Sequence, residues 1–229
     1  MKRMGLFLLT VCLLLTGCAS SQTGGNENTA PAATENAGTV VAGQTEDVHA
    51  VVPLPDTTME NLTDAILSVS LAEGGAYVDD TGKMQMDLKI YSYDRYDMVD
   101  ISGLKVGDTL VRHSGEVKVT AKEQNEAGAV IINGGLDNGG FDLVTDDSGI
   151  FYEMGYNDHK NWYQIGEATI RVSADFEGLD RADPELGEVV LYPGDFLVGA
   201  VTNYDFTPYN TTIRVEGGQI IEMNRRYIP

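Results

Sequence analysis

One nine-residue stretch gathers the side chains that recognise ligands. Gly155-Tyr156-Asn157-Asp158-His159-Lys160-Asn161-Trp162-Tyr163 holds the only tryptophan of the chain, two tyrosines and a run of hydrogen-bonding groups. Aromatic rings stack on the apolar faces of sugars and on peptide side chains, while Asn, Asp and His satisfy hydroxyls and amides, a mixture that concave sites use. Asp158, His159, Trp162 and Tyr163 are therefore the candidate binding residues. A tryptophan beside a strand start also packs into a core with its indole N–H on a carbonyl, so both placements stay open. Tyr91, Tyr93 and Tyr96 form a second aromatic group, expected on the polar face of a strand, where it suits cross-strand packing or a contact surface.

Catalytic patterns are absent, and no catalytic residue is assigned. There is no G-x-S-x-G elbow and no S-x-x-K, and Gly134-Gly135 and Gly139-Gly140 lie between apparent strands with no G-K-[ST] after them. Two carboxylates brought together by the fold would suffice for glycoside hydrolysis, but with 35 Asp and Glu the composition alone does not select a pair. No cofactor is implied. Calcium is the one metal to weigh, at Asp137, Asp142, Asp146 and Asp147 or at Asp175, Glu177, Asp180, Asp183 and Glu185. Neither cluster has the EF-hand spacing, and loop carboxylates in an acidic chain commonly cap their own turns. His49, His113 and His159 contain no H-x-x-x-H pair for zinc.

The elements that must position these groups read as β structure. Met84, Met86, Leu88 and Ile90 alternate with Gln85, Asp87, Lys89 and Tyr91, which gives one buried and one wet face. Similar runs cover 68–71, 109–113, 117–122, 129–132, 141–145, 150–154, 168–173, 189–192, 196–202, 211–215 and 219–226. Turn chemistry separates them, as at Asp80-Thr81-Gly82, Asp147-Ser148-Gly149, Pro193-Gly194-Asp195 and Gly217-Gly218. Short strands at such spacing predict an all-β, mostly antiparallel sandwich or barrel-like domain over residues 51–229. The last hairpin should pair Ile213 and Val215 with Ile220 or Ile221. Thr57-Thr58-Met59-Glu60 has the form of a capping box and predicts at most one short N-terminal helix, running towards Ala65. Leu104 to Val111 and Leu191 to Val198 share L-x-x-G-D-x-L-V; a duplicated half-barrel would place both Gly-Asp pairs at equivalent strand starts, and a common turn explains them equally.

The N-terminus has a different character. Lys2 and Arg3 precede an apolar run from Leu6 to Leu15, far shorter than the roughly 20 residues a membrane-spanning helix needs. Leu15-Thr16-Gly17-Cys18 closes the run. This resembles the lipobox of bacterial lipoproteins, in which the signal peptide is cut before an acylated cysteine. The resemblance implies a signal peptide over 1–17, lipidation of Cys18 with at least two palmitate-type chains, and a location in the cell envelope on the extracytoplasmic face of a membrane. Two chains give stable anchoring where one does not. Residues 19–50 carry no aromatic, Leu, Ile, Lys or Arg, the composition of a disordered tether.

Charge narrows the partners. The chain carries −20, and loss of Lys2 and Arg3 with the signal makes the remainder −22. Such a body repels polyanions, so nucleic acid is not an expected partner. The expected function is a membrane-held binding or interaction module for a glycan, a peptide or a neighbouring envelope protein. The alternatives are a carboxylate-dependent hydrolase and a structural role in the envelope.

Overall fold

The computed structural model describes residues 49–156, 159–198 and 206–228. The lipobox with Cys18, nearly all of the tether, and Asp158 lie outside the described residues. The elements, in chain order, are β1 (Ala50–Val51), β2 (Ala65–Val78), β3 (Met84–Ser92), β4 (Arg95–Tyr96), α1 (Met98–Gly103), β5 (Thr109–Arg112), β6 (Gly115–Lys118) and β7 (Lys122–Gln124). They continue with β8 (Val130–Ile132), β9 (Phe141–Thr145), β10 (Phe151–Glu153), β11 (Tyr163–Arg181), β12 (Val189–Leu191), α2 (Pro193–Leu197), β13 (Thr211–Glu216) and β14 (Gln219–Arg226). The protein is all-β, as its alternation predicts.

Five strands close a barrel. β2 pairs antiparallel with β3, β3 with the first half of β11, β14 with β13, and β13 with the start of β2. The second half of β11 runs parallel to β14 and completes the ring. β11 serves two neighbours because its register shifts between Val172 and Glu177, and β2 bends at its own shift between Leu71 and Ala76. With the five strands taken in chain order, this is the connectivity of the OB-type Greek-key barrel. Period-two alternation points Leu67 and Val69, Met86, Leu88 and Ile90, and Ile213 and Val215 into one core, and the register shift opposite Arg214 and Val215 brings Ile220 and Met223, three residues apart, onto the same face.

Between β3 and β11 the chain builds a second core. The meander β4–β10–β9–β8–β7 and the small sheet β1–β5–β6 enclose Val51, Tyr96, Ile101, Leu110, Ile132, Phe141, Leu143 and Phe151. β1 lies parallel to β5, so the residues that precede the barrel are tied to this insertion. No helix among the described residues is long and apolar enough to cross a membrane.

Three expectations are corrected. The capping-box segment forms one turn, with the Asn61 N–H on the Thr58 carbonyl, rather than a helix. Tertiary contacts decide this: Met59 and Leu62 pack on the barrel core, and the Asp64 carboxylate and Thr63 carbonyl take the Gly217 and Gly218 N–H groups. The run expected as a strand from Phe196 begins inside α2, with Pro193 in its first turn and the Asp195 carboxylate accepting the Tyr192 N–H at 2.7 Å. Phe196 is buried there against Phe176 and Phe206, each at 6.0 Å between ring centroids; residues 199–202 of that run lie outside the described residues. The two L-x-x-G-D-x-L-V copies are therefore not equivalent, because Gly107-Asp108 turns into β5 whereas Gly194-Asp195 is helical. Third, the tyrosine group does not share a polar face. β3 ends at Ser92, and Tyr96 is fully buried in the second core with its hydroxyl on the Val111 carbonyl. Burial holds that phenol well above its ordinary ionisation range.

Candidate functional site

Outward-facing residues of four barrel strands meet in a row. Register places Tyr91 opposite Ser68, Ser68 opposite Thr212, and Thr212 opposite Asn224, so a phenol, two hydroxyls and an amide cross β3, β2, β13 and β14. The row follows from period two: the flanking Leu67, Val69, Ile213 and Met223 point inward. These four side chains floor a cleft of about 460 Å³, within the range of small-ligand sites. Its walls come from elsewhere in the chain. Trp162, Tyr93 and Lys160 arrive from the junctions of the insertion with the barrel, Asp56 and Arg95 from the N-terminal strap and β4, and Arg226 from the end of β14.

The wall is held by aromatic and charged contacts. Trp162 is half-buried and meets Tyr93 edge-on at 4.7 Å. The Lys160 ammonium donates to the Tyr93 hydroxyl at 2.7 Å and lies 4.0 Å from the Tyr93 ring centre and 5.1 Å from that of Tyr152. Arg95 donates to the Pro55 carbonyl at 2.8 Å and to Asp56 at 3.1 Å, and Asp56 also accepts the Ser92 hydroxyl.

The four candidate residues of the aromatic stretch part company. Trp162 lines the four-strand cleft. His159 packs on Tyr209 at 4.9 Å and lines a neighbouring cleft of about 430 Å³ with Tyr156, Glu153 and Asn161. Lys160 borders both clefts. Tyr163 turns away from them. It stacks on His113 at 3.7 Å and donates to Asp94 at 3.3 Å, and burial, reinforced by the Asp94 and Asp56 charges, raises its phenol above the ordinary range. Asp94 is itself buried and accepts both the backbone N–H and the ring Nδ1–H of His113 at 2.9 Å, so this cluster is a joint between insertion and barrel. The sequence reading missed the floor residues Ser68, Thr212 and Asn224 and the wall residues Arg95 and Arg226. Their alternation was visible, but which strands adjoin was not.

No family model, no curated protein and no solved structure matches this chain. The chemistry must therefore be read from the clefts themselves. Among the described lining residues each cleft holds a single carboxylate, Asp56 in one and Glu153 in the other. Both are held by arginine: Arg95 on Asp56, and Arg112 on Glu153, where Nε donates at 2.7 Å and Asn161 adds a bond at 2.7 Å. A hydrolytic pair needs one free acid and one free base or nucleophile flanking the bond, and neither cleft offers that among these residues. Ser92 and His113 do not form a nucleophile–base pair either, since they bond to different carboxylates, Asp56 and Asp94.

Most of the candidate loop carboxylates with recorded bonds are engaged by protein groups, while Asp142 keeps one buried oxygen, Oδ1, without a hydrogen-bond partner among the described residues. Among the described residues no group of three or more His, Cys, Asp or Glu side chains converges to hold a metal. Asp146 accepts the Ser148 hydroxyl at 2.6 Å and the Ser148 and Ile150 N–H groups, and the hydroxyl bond first of all draws its carboxyl below the ordinary range. Asp180 is paired with Arg225, and Asp183 takes the Glu185 N–H at 2.8 Å.

Proposed function

We propose that this chain is an extracytoplasmic lipoprotein, anchored through acylated Cys18, whose β-barrel body binds a glycan in the four-strand cleft. The observation that carries the reading is the row Tyr91, Ser68, Thr212 and Asn224 beside Trp162. Hydroxyl and amide groups fixed on adjacent strands match sugar hydroxyls, and an aromatic wall suits the apolar face of a pyranose ring. Rigid strands hold these groups at little ordering cost on binding. A peptide or a neighbouring envelope protein is a weaker fit, because the floor is polar and lies on the barrel face rather than along a free strand edge. Hydrolysis lacks a free carboxylate pair among the described lining residues, and the negative charge of the whole chain speaks against nucleic acid.

The test is a glycan array probed with the full chain and with Trp162→Ala. Retention of one glycan class by the wild type, reduced at least tenfold in the variant, supports the reading; equal retention by both removes Trp162 from the site, and retention of no glycan overturns glycan binding. The anchor is tested separately by Cys18→Ser, which should release the protein from the membrane fraction. Unchanged lipid labelling of that variant would contradict acylation at Cys18.

A further inference from the structure

The four-strand cleft reverses the charge of the molecule. The whole chain has 15 Lys and Arg against 35 Asp and Glu, yet Lys160 and four arginines, at 95, 181, 225 and 226, line this cleft with Asp56 as the only carboxylate among its described residues. Three of the arginines are neutralised in place: Arg95 by Asp56, Arg181 by Glu188 with Nε at 2.7 Å, and Arg225 by Asp180 with Nε at 3.0 Å. Two cations remain. Lys160 is held by the Tyr93 hydroxyl and by aromatic rings, and Arg226 donates to the Tyr209 carbonyl at 3.2 Å from Nη2 and 3.4 Å from Nε. Neither has a carboxylate hydrogen-bond partner among the described residues.

Resting on the glycan reading above, we infer that the cleft's ligand is an acidic oligosaccharide whose uronic-acid carboxylates are taken by Lys160 and Arg226. A protein of strongly negative total charge that collects cations around one polar cleft, and leaves two of them without a hydrogen-bonded carboxylate, with Asp146 acting on Lys160 only through its charge, presents a local positive field where a ligand enters. Lys160 is held by rings and a phenol that stabilise the ammonium without neutralising it. Arg226 keeps donors for a carboxylate in the planar geometry that guanidinium and carboxylate share. The Ser68, Thr212 and Asn224 floor supplies partners for ring hydroxyls, several of which every sugar ring presents. The surrounding acidic surface sets an upper limit on ligand charge, since a densely charged polymer is repelled before it reaches the cleft. A uronate-containing oligosaccharide, with one carboxylate per ring at most, fits both conditions.

Titration calorimetry on the full chain tests this with three probes of equal length: trigalacturonate, the neutral trigalactoside and triglutamate. Trigalacturonate should bind at least tenfold more tightly than either of the others, and the advantage should shrink in high salt, because each charge-assisted bond lost is worth about tenfold or more. Arg226→Gln and Lys160→Gln should each weaken trigalacturonate about tenfold and leave the trigalactoside unchanged, while Lys160→Arg should retain most of the affinity. Thermal melts confirm that the variants fold. Equal binding of the trigalactoside overturns the charge inference and leaves the glycan reading standing. Equal binding of triglutamate overturns the choice of a sugar, and no binding by any probe counts against both.

Discussion

Removing the carboxylate of Asp180 should cost more stability than any other single charge deletion in the barrel. Arg225 sits opposite Asp180 in the parallel β11–β14 pairing and is fully buried, while the Asp180 side chain is 11% exposed. The carboxylate accepts Arg225 Nε at 3.0 Å and Nη2, and also the Ala182 N–H at 2.9 Å. The Phe206 ring lies 4.3 Å from the guanidinium. In Asp180→Ala the guanidinium keeps its ring and its other contacts but loses the counter-charge inside the barrel. Stranding a buried charge in this way costs about 3–5 kcal/mol, a large part of the roughly 5–15 kcal/mol that holds a domain of this kind together. With a urea slope of about 2 kcal/mol per molar, the unfolding midpoint falls by about 2 M. Far-UV circular dichroism of the full chain in urea reads it. The double variant Asp180→Ala with Arg225→Met should recover most of the loss, because the charge that was stranded is then gone. A loss below about 1 kcal/mol in the single variant, or a double variant no more stable than the single, would refute the assignment of this pair as the barrel's buried ion pair.

Two further outcomes follow from local geometry. A Cβ at Gly140 would stand 2.0 Å from the Ile132 carbonyl oxygen and 2.7 Å from that of Asn133, both backbone. Gly140→Ala should therefore push β8 and β9 apart and destabilise the second core by about 1–3 kcal/mol, whereas Gly103→Ala, with nothing within 4 Å at the end of α1, should be neutral or slightly stabilising; paired thermal melts compare them. Asp79 accepts the Lys83 and Thr81 N–H groups, the Thr81 hydroxyl and the Gln85 amide, and these bonds, the Lys83 N–H foremost, hold its carboxyl far below the usual range. Its contribution to the β2–β3 turn is thus fully present above about pH 4, the ordinary Asp value, and is lost only as the pH falls through its lowered pKa. Carboxyl carbon shifts followed by NMR should show Asp79 titrating well below the ordinary Asp value; titration at that value would contradict the bonding of that turn.

How much of this was legible beforehand depended on the range of the interaction. β3, β9 and the β13–β14 hairpin could be read because period-two burial and a Gly-Gly turn are local signals; Val215 does pair with Ile220, whereas Ile213 pairs with Met223 because the register shifts between them. β11 could be read only over 168–173, since its full length from Tyr163 to Arg181 crosses two register shifts where the alternation breaks. The helix expected after Thr57 failed for a related reason. Its capping signal is local, but Met59 lies against Gly166, and the Asp64 carboxylate and Thr63 carbonyl are committed to the Gly217 and Gly218 N–H groups. α2 hid behind Pro193-Gly194-Asp195, three residues that start a turn or a helix equally well until a buried phenylalanine chooses between them.

The site follows the same logic with charge in place of pattern. A net charge of −20 describes the field far from the protein, where all residues add, and on that scale an anionic ligand is a poor guess. Within a Debye length of about 8 Å only the nearby side chains count, and the cleft is lined by residues from 56 to 226 that no window of sequence unites. Trp162 and Lys160 were visible as an unusual stretch; Arg95 and Arg226 were not, because what distinguishes them is spatial convergence on one cleft and, for Arg226, the lack of a carboxylate partner among the described residues. Closure of the barrel is what converts scattered cations into a site. β14 reaches the cleft only because it pairs with both β13 and β11, so loosening that closure at Asp180 and Arg225 should disturb the cleft as well as the core. If ligand binding survived Asp180→Ala undiminished in protein that is still folded, the cleft would have to be positioned by the insertion alone.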